Sequence, residues 1–130
     1  GDVADATPAV FYGHTSERDS TDKITRYWLT SDVDLICGSG RDYIEDPRGD
    51  GVDMLSGIKA NGYSYLTDAL TVDRTAGKVI CLDNRMGSYA TEETLDFLAN
   101  ITRASMDRLR QCVMFAARSF VTVAVLFQET

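Results

Sequence analysis

Positive charge is scarce in this chain. Across 130 residues, 13 Lys and Arg face 20 Asp and Glu, which leaves a net charge of −7 and a pI near 4.5. That balance excludes a phosphate-backbone binder, which needs a basic face, and it excludes a surface that clings to anionic lipid. Neither a nucleic acid nor a membrane is expected as a partner. Long apolar runs are missing as well: no stretch reaches the roughly 18 residues of a membrane span. The opening residues, GDVADATPAV, carry neither a basic start nor a long apolar core and do not read as a signal peptide. Cysteine is sparse. Cys37, Cys81 and Cys112 are odd in number and far apart, with no CxxC and no Cys/His cluster, which excludes zinc-finger chemistry. Cys37 and Cys81 lie in apolar runs and read as buried thiols. No repeat, low-complexity tract or domain linker interrupts the chain, so residues 1–130 read as a single domain.

What is present is an alternation of helix and strand patterns in a chain that is 44% apolar. Thr7-Pro8 is a helix-start signal, with the threonine hydroxyl as cap and proline at the first helical position, where its missing N–H costs nothing. A short helix through AVFYGH follows, with Gly13 as its stop. A second helix is predicted over Thr21–Thr30, capped by Ser20 or Thr21, with Ile24, Tyr27 and Trp28 as its apolar stripe. Val33–Cys37 reads as a strand stopped by Gly38-Ser39-Gly40, and RDYIEDPRGDG as a polar loop. Val52–Ala60 is predicted as a third helix with Met54, Leu55 and Ile58 inward, ended by Asn61-Gly62. YSYL and GKVICL read as strands. Thr91–Gln111 is the longest helix, with Leu95, Leu98, Thr102, Ser105, Met106 and Leu109 on one stripe. Phe120–Phe127, FVTVAVLF, has the continuous apolar, β-branched character of a strand buried on both faces. The pattern predicts an α/β fold, a layered and largely parallel sheet flanked by helices.

The chemistry concentrates at the ends of the chain. In open α/β sheets, ligands gather at the carboxyl ends of strands. Glu129 follows the last predicted strand, and Asp5 and Thr7 stand where the chain enters a helix. Two carboxylates and a hydroxyl are hard oxygen donors suited to Mg²⁺ at about 2.0–2.1 Å. Arg18 has the bidentate fork that holds a phosphate. The same residues also fit a simpler account, in which Asp-x-Thr-Pro is only a helix cap and Glu129 a solvated carboxylate.

DATPAVFYGHTSER, Asp5 to Arg18, resembles the Asp-x-Thr-Pro-Ala…His-x-x-x-Arg segment of alkaline phosphatases. SDVDLICGSGRDYIE is similar to that family's Gly-rich strand end, and GVDMLSGIKANGYSYLTD to its Ala-x-x-x-Gly-Tyr segment. GKVICLDNRM, TLDFLANITRASMDRLRQ and VAVLFQET follow in the family's order. The resemblance implies an alkaline-phosphatase-like fold, present in part, and phosphomonoester hydrolysis as the parent reaction, with a phosphate monoester as substrate. It implies that Asp5, Thr7 and Glu129 are ligands of a Mg²⁺ site and that Arg18 clamps the substrate phosphate; His14 matches a family histidine and is expected to support the ligands from behind or to be structural. In the family, two Zn²⁺ ions activate a serine or threonine nucleophile. A periplasmic or secreted location is implied in the same way.

The departures from the family are specific. No nucleophile motif and no Asp-x-x-x-His zinc motif occurs, and with a single histidine, His14, the two-zinc site cannot be assembled from this chain. The expectation is an internal portion of a larger catalytic domain: a partial Mg²⁺ and phosphate site, no catalytic residue, zinc ligands absent, and no turnover. Exposed sheet edges would favour a homodimer or other self-association. Two alternatives stay open, a non-catalytic binding or interaction domain on the same scaffold and an ordinary structural domain.

Overall fold

The computed structural model of the protein describes residues 2–17, 19–83, 96, 99–104 and 106–107. Helix α1 spans Ala6–Ala9, α2 spans Thr21–Arg26 and tightens into a 3-10 turn at Tyr27–Leu29, and α3 spans Asp42–Glu45. Helix α4 spans Met54–Ala60, and a second 3-10 segment spans Ala69–Arg74. Strands β1, β2 and β3 are Leu35–Ser39, Tyr63–Leu66 and Lys78–Asp83. Among the described residues the sheet runs β1-β3-β2 and every pairing is parallel, as the alternating pattern predicted.

The middles of β1 and β3 are apolar because both faces of the sheet are covered there. Ile36, Ile80 and Leu82 face one core, built with Ile24, Trp28, Met54, Ile58 and Tyr63. Leu35, Val79 and Cys81 face the other, built with Ala69, Val72, Ile101 and Ala104. Trp28 is fully buried, and the rings of Tyr12 and Tyr43 pack against it edge-on, with centroids 6.0 Å and 6.4 Å away.

Several elements differ from the sequence reading. Strand β1 runs two residues later than Val33–Cys37, because Gly38 and Ser39 find partners in Leu82 and Asp83 of β3. Tyr27 does not join Ile24 and Trp28 inside. The 3-10 turn changes the rotation per residue, and Tyr27 lies outward with its hydroxyl donating to the His14 carbonyl at 2.8 Å. Leu55 is exposed while Met54 and Ile58, four apart, share the buried face of α4. Asp53 caps that helix, accepting from Ser56 N and Ser56 Oγ. Gly62, at φ 87°, ends it in the left-handed conformation that favours glycine.

The stretch read as a polar loop contains α3. Its Glu45 pairs with Arg41 and accepts from Tyr65 Oη at 2.8 Å. The side chain of Arg48, in the same stretch, is buried. Its guanidinium donates to Thr25 Oγ1, Tyr43 O and Asp22 O and pairs with Asp50 at 2.8 Å.

In the long predicted helix, residues 96, 99–104 and 106–107 are helical. Ile101 and Ala104 face the core, whereas Thr102 and Met106 are exposed, so the buried stripe is rotated from the predicted one. Leu95, Leu98, Ser105, Leu109, Cys112, the Phe120–Phe127 strand and Glu129 lie outside the described residues. Among the described residues no helix is long and apolar enough to cross a membrane.

Candidate functional site

The segment leading to Asp5 is fixed by the sheet. Asp2 forms a parallel bridge with Ser39, the last residue of β1, and Val3 N donates to Ser39 O at 3.1 Å. This places the chain at the carboxyl end of β1, the edge at which parallel sheets gather ligands. Asp2 Oδ1 accepts from Ala4 N at 2.7 Å, and Asp5 N donates to Asp2 O at 3.2 Å, which closes a turn.

Helix α1 starts directly after Asp5, whose carbonyl accepts from Ala9 N at 2.9 Å. Thr7 therefore stands inside the first turn and is not the residue before the helix. Pro8 is two positions further in than predicted but still within the first turn, where its missing N–H has no partner to lose. The predicted cap is corrected by two residues, because the Asp2–Ser39 bridge decides where the helix begins.

Asp2, Ala4, Asp5, Asp19, Thr21 and Tyr43 line an open cleft of about 440 Å³. Burial pushes the Asp2 carboxyl up from its ordinary value. Hydrogen bonds from Ala4 N–H and Tyr43 oppose that shift, and the charges of Asp5 and Asp42 add to it. The Tyr43 hydroxyl is pushed up by burial and then by Asp2. The cleft is thus negative and lined by hard oxygen donors. Among the described residues no group of three or more His, Cys, Asp or Glu side chains is placed to hold one metal ion.

Of the four residues proposed from sequence, Asp5 lines this cleft and Thr7 follows it in α1. Arg18 and Glu129 lie outside the described residues, although Asp19, next to Arg18 in the chain, lines the cleft. His14 lies elsewhere. It is exposed and shares a second cleft, of about 480 Å³, with Thr15, Lys23, Arg26, Tyr27, Leu29 and Thr30. Sequence reasoning missed Asp2, Asp19 and Tyr43. Tyr43 had one legible signal, the Arg41–Glu45 spacing of four that marks a helical turn around it.

A Gly-turn at the carboxyl end of a parallel strand, beside an acid-lined helix entry, is built on the scaffold of the alkaline phosphatases. The chain matches alkaline phosphatase from the Antarctic bacterium TAB5 with a TM-score of 0.72 and 25% identity, covering 93% of this chain and 35% of that one. It matches the cold-active alkaline phosphatase of a psychrophilic Shewanella sp. with a TM-score of 0.64 and 28% identity, over 93% and 29%. Alkaline phosphatase from Thermus thermophilus shares the fold, with a TM-score of 0.69 at 21% identity, over 93% and 26%. A TAB5 variant matched at a TM-score of 0.68 was solved with Mg bound in its M3 site. The resemblance read from the motifs therefore holds in three dimensions. The chain spans between about a quarter and a third of the length of the solved structures it matches. No protein-family model and no curated protein matches it in sequence.

Proposed function

We propose that this chain carries part of the Mg²⁺ and phosphate sites of an alkaline-phosphatase-like phosphomonoesterase. The observation that supports the reading most is Asp5, set at the carboxyl end of β1 in an oxygen-lined cleft of a fold shared with solved alkaline phosphatases. On this reading Asp5, Thr7 and Glu129 hold Mg²⁺, and Arg18 holds the non-bridging oxygens of a phosphate monoester. The donor chemistry fits Mg²⁺, which takes carboxylate, hydroxyl and water oxygens. Bound there, the ion would tune the acidity of a neighbouring water or hydroxyl.

Zinc does not fit. The single imidazole, His14, shares its cleft with Lys23 and Arg26 and not with carboxylates. Cys37 and Cys81 lie in sheet strands, away from the acidic cleft. With no nucleophile motif in the sequence, the chain binds without turning over. A periplasmic or secreted location and self-association through sheet edges belong to the same reading.

The test is hydrolysis of p-nitrophenyl phosphate by the purified chain, with and without Zn²⁺ and Mg²⁺. The expected rate equals that of buffer. Turnover that is lost in Arg18→Ala would refute the partial-site reading and require a nucleophile within this chain.

A further inference from the structure

The sequence places Cys37 and Cys81 far apart, and composition alone reads them as two inert buried thiols. The register of the sheet changes this. Cys37 of β1 and Cys81 of β3 are partners on adjacent parallel strands, the central pair of a five-residue ladder running from Leu35↔Val79 to Ser39↔Asp83. Partners in such a ladder send their side chains to the same face, and their backbones are about 4.8 Å apart. The cores agree: both sulfurs belong to the face built by Leu35, Val79, Ala69, Val72, Ile101 and Ala104. Both residues are thiols, Cys81 buried and Cys37 half-buried.

A disulfide needs Cα atoms about 4.4–6.8 Å apart and Cβ vectors that do not diverge. At the usual strand spacing, adjacent partners on one face fall within the Cα range and share a side-chain direction. We propose that Cys37 and Cys81 are a modification site, a dithiol that closes to a reversible cross-strand disulfide by exchange with a low-molecular-weight disulfide such as glutathione disulfide.

The difference in exposure orders the steps. Cys37 gives up its proton and its sulfur attacks one sulfur of glutathione disulfide. That S–S bond breaks, one glutathione thiolate leaves, and a mixed disulfide remains on Cys37. Cys81 then gives up its proton and attacks the Cys37 sulfur, expelling the second glutathione thiolate. Two protein thiols are oxidised to one disulfide, and glutathione disulfide is reduced to two thiols, which take up the two protons. The strand spacing lies at the short end of the disulfide range.

The experiment treats the purified chain with glutathione disulfide under native conditions, blocks remaining thiols by alkylation, and maps peptides by mass spectrometry. Of the 3 thiols, two should be lost together, with a linked Cys37–Cys81 peptide that dithiothreitol separates. Cys112→Ser should give the same result. Cys81→Ala should stop at the glutathione adduct on Cys37, and Cys37→Ser should leave Cys81 unmodified. A native chain that ends with an unresolved adduct on Cys37, with a link to Cys112, or with three intact thiols would overturn the proposal.

Discussion

Tyr43 Oη donates a 3.0 Å hydrogen bond to Asp2 Oδ2 across 41 positions of chain. The bond joins the turn after β1 to the segment that carries Asp5. Asp2 uses both its oxygens structurally, one for Tyr43 and one for Ala4 N. The cleft edge is therefore held by a partly desolvated carboxylate and a phenol.

The first consequence is a pH dependence. Burial raises the folded pKa of Asp2 above its ordinary 3.8. Between the two values the folded chain holds more protons than the unfolded one, so this group's contribution to stability falls as pH rises through that window. Asp2→Asn keeps an acceptor for Ala4 N, and the Tyr43 hydroxyl turns to accept from the amide. The variant should lack this loss on the way to neutrality. Urea midpoints measured across the acid range check it; a parallel pH profile for both proteins contradicts the assignment.

Arg48 is the second target, because it satisfies three uncharged oxygens and the Asp50 carboxylate at once. Arg48→Met should cost about 3 kcal/mol, roughly 1 kcal/mol for each bond to Thr25 Oγ1, Tyr43 O and Asp22 O. Arg48→Lys should not rescue it, since an ammonium cannot reproduce the planar fork. Hydrogen bonding from Arg48 also lowers Asp50 to about 2. That contribution is present above the ordinary carboxylate pKa and is lost as pH falls through about 2, a loss the Met variant should not show. Denaturant titration of the two variants is the measurement.

Gly40 has a φ of 131°, which L-residues avoid, and an added Cβ would lie 2.7 Å from two atoms of the Tyr43 ring and 3.2 Å from Val3 Cγ2. Gly40→Ala should destabilise the chain by about 1–3 kcal/mol. It should also displace Tyr43 from Asp2, seen as a change in the near-ultraviolet tyrosine signal. A Tm equal to that of the parent chain would show that the turn relaxes freely.

The candidate sites should separate by ligand. Asp5→Asn should weaken Mg²⁺ binding and leave inorganic phosphate binding unchanged. Arg18→Ala should do the reverse. A lone guanidinium with a partial metal site gives millimolar-class affinity, about −4 kcal/mol, within reach of NMR titration. Loss of phosphate binding in Asp5→Asn with Arg18 intact would contradict the division of roles.

Much of the sheet was legible because it is written in local patterns. Leu-Ile-Cys and Val-Ile-Cys-Leu are apolar on both faces, and that alone signals covered parallel strands. Asn61-Gly62 announced the end of α4 by turn chemistry. Helix α3 escaped because four residues hold too little period, and its support comes from distant groups, Tyr65 on Glu45 and Arg48 on the Tyr43 carbonyl. The stripe through Thr102 and Met106 was misplaced because Ile101 and Ala104 face the sheet, a choice made by tertiary packing. At the site, Asp5 and Thr7 were legible as a motif. Asp2 and Tyr43 were not, because only the Asp2–Ser39 bridge and the fold of α3 bring them together.

Strand β3 lies between β1 and β2 yet follows both in the chain. During synthesis this has a cost in order of assembly. Until Lys78–Asp83 leave the ribosome, β1 and β2 have no strand partner among the described residues, since the Asp2–Ser39 contact is an isolated bridge and β3 is the strand each pairs with. The earlier residues can form local helix and the Trp28 cluster, but their strand edges stay open for the time it takes to make the remaining stretch. A chain truncated before Lys78 would hold two orphan strands and no ladder, a form suited to association with other nascent chains. The late central strand thus makes pairing within the described sheet wait on one segment, because the five positions of β1 and the four of β2 all find their partners in β3.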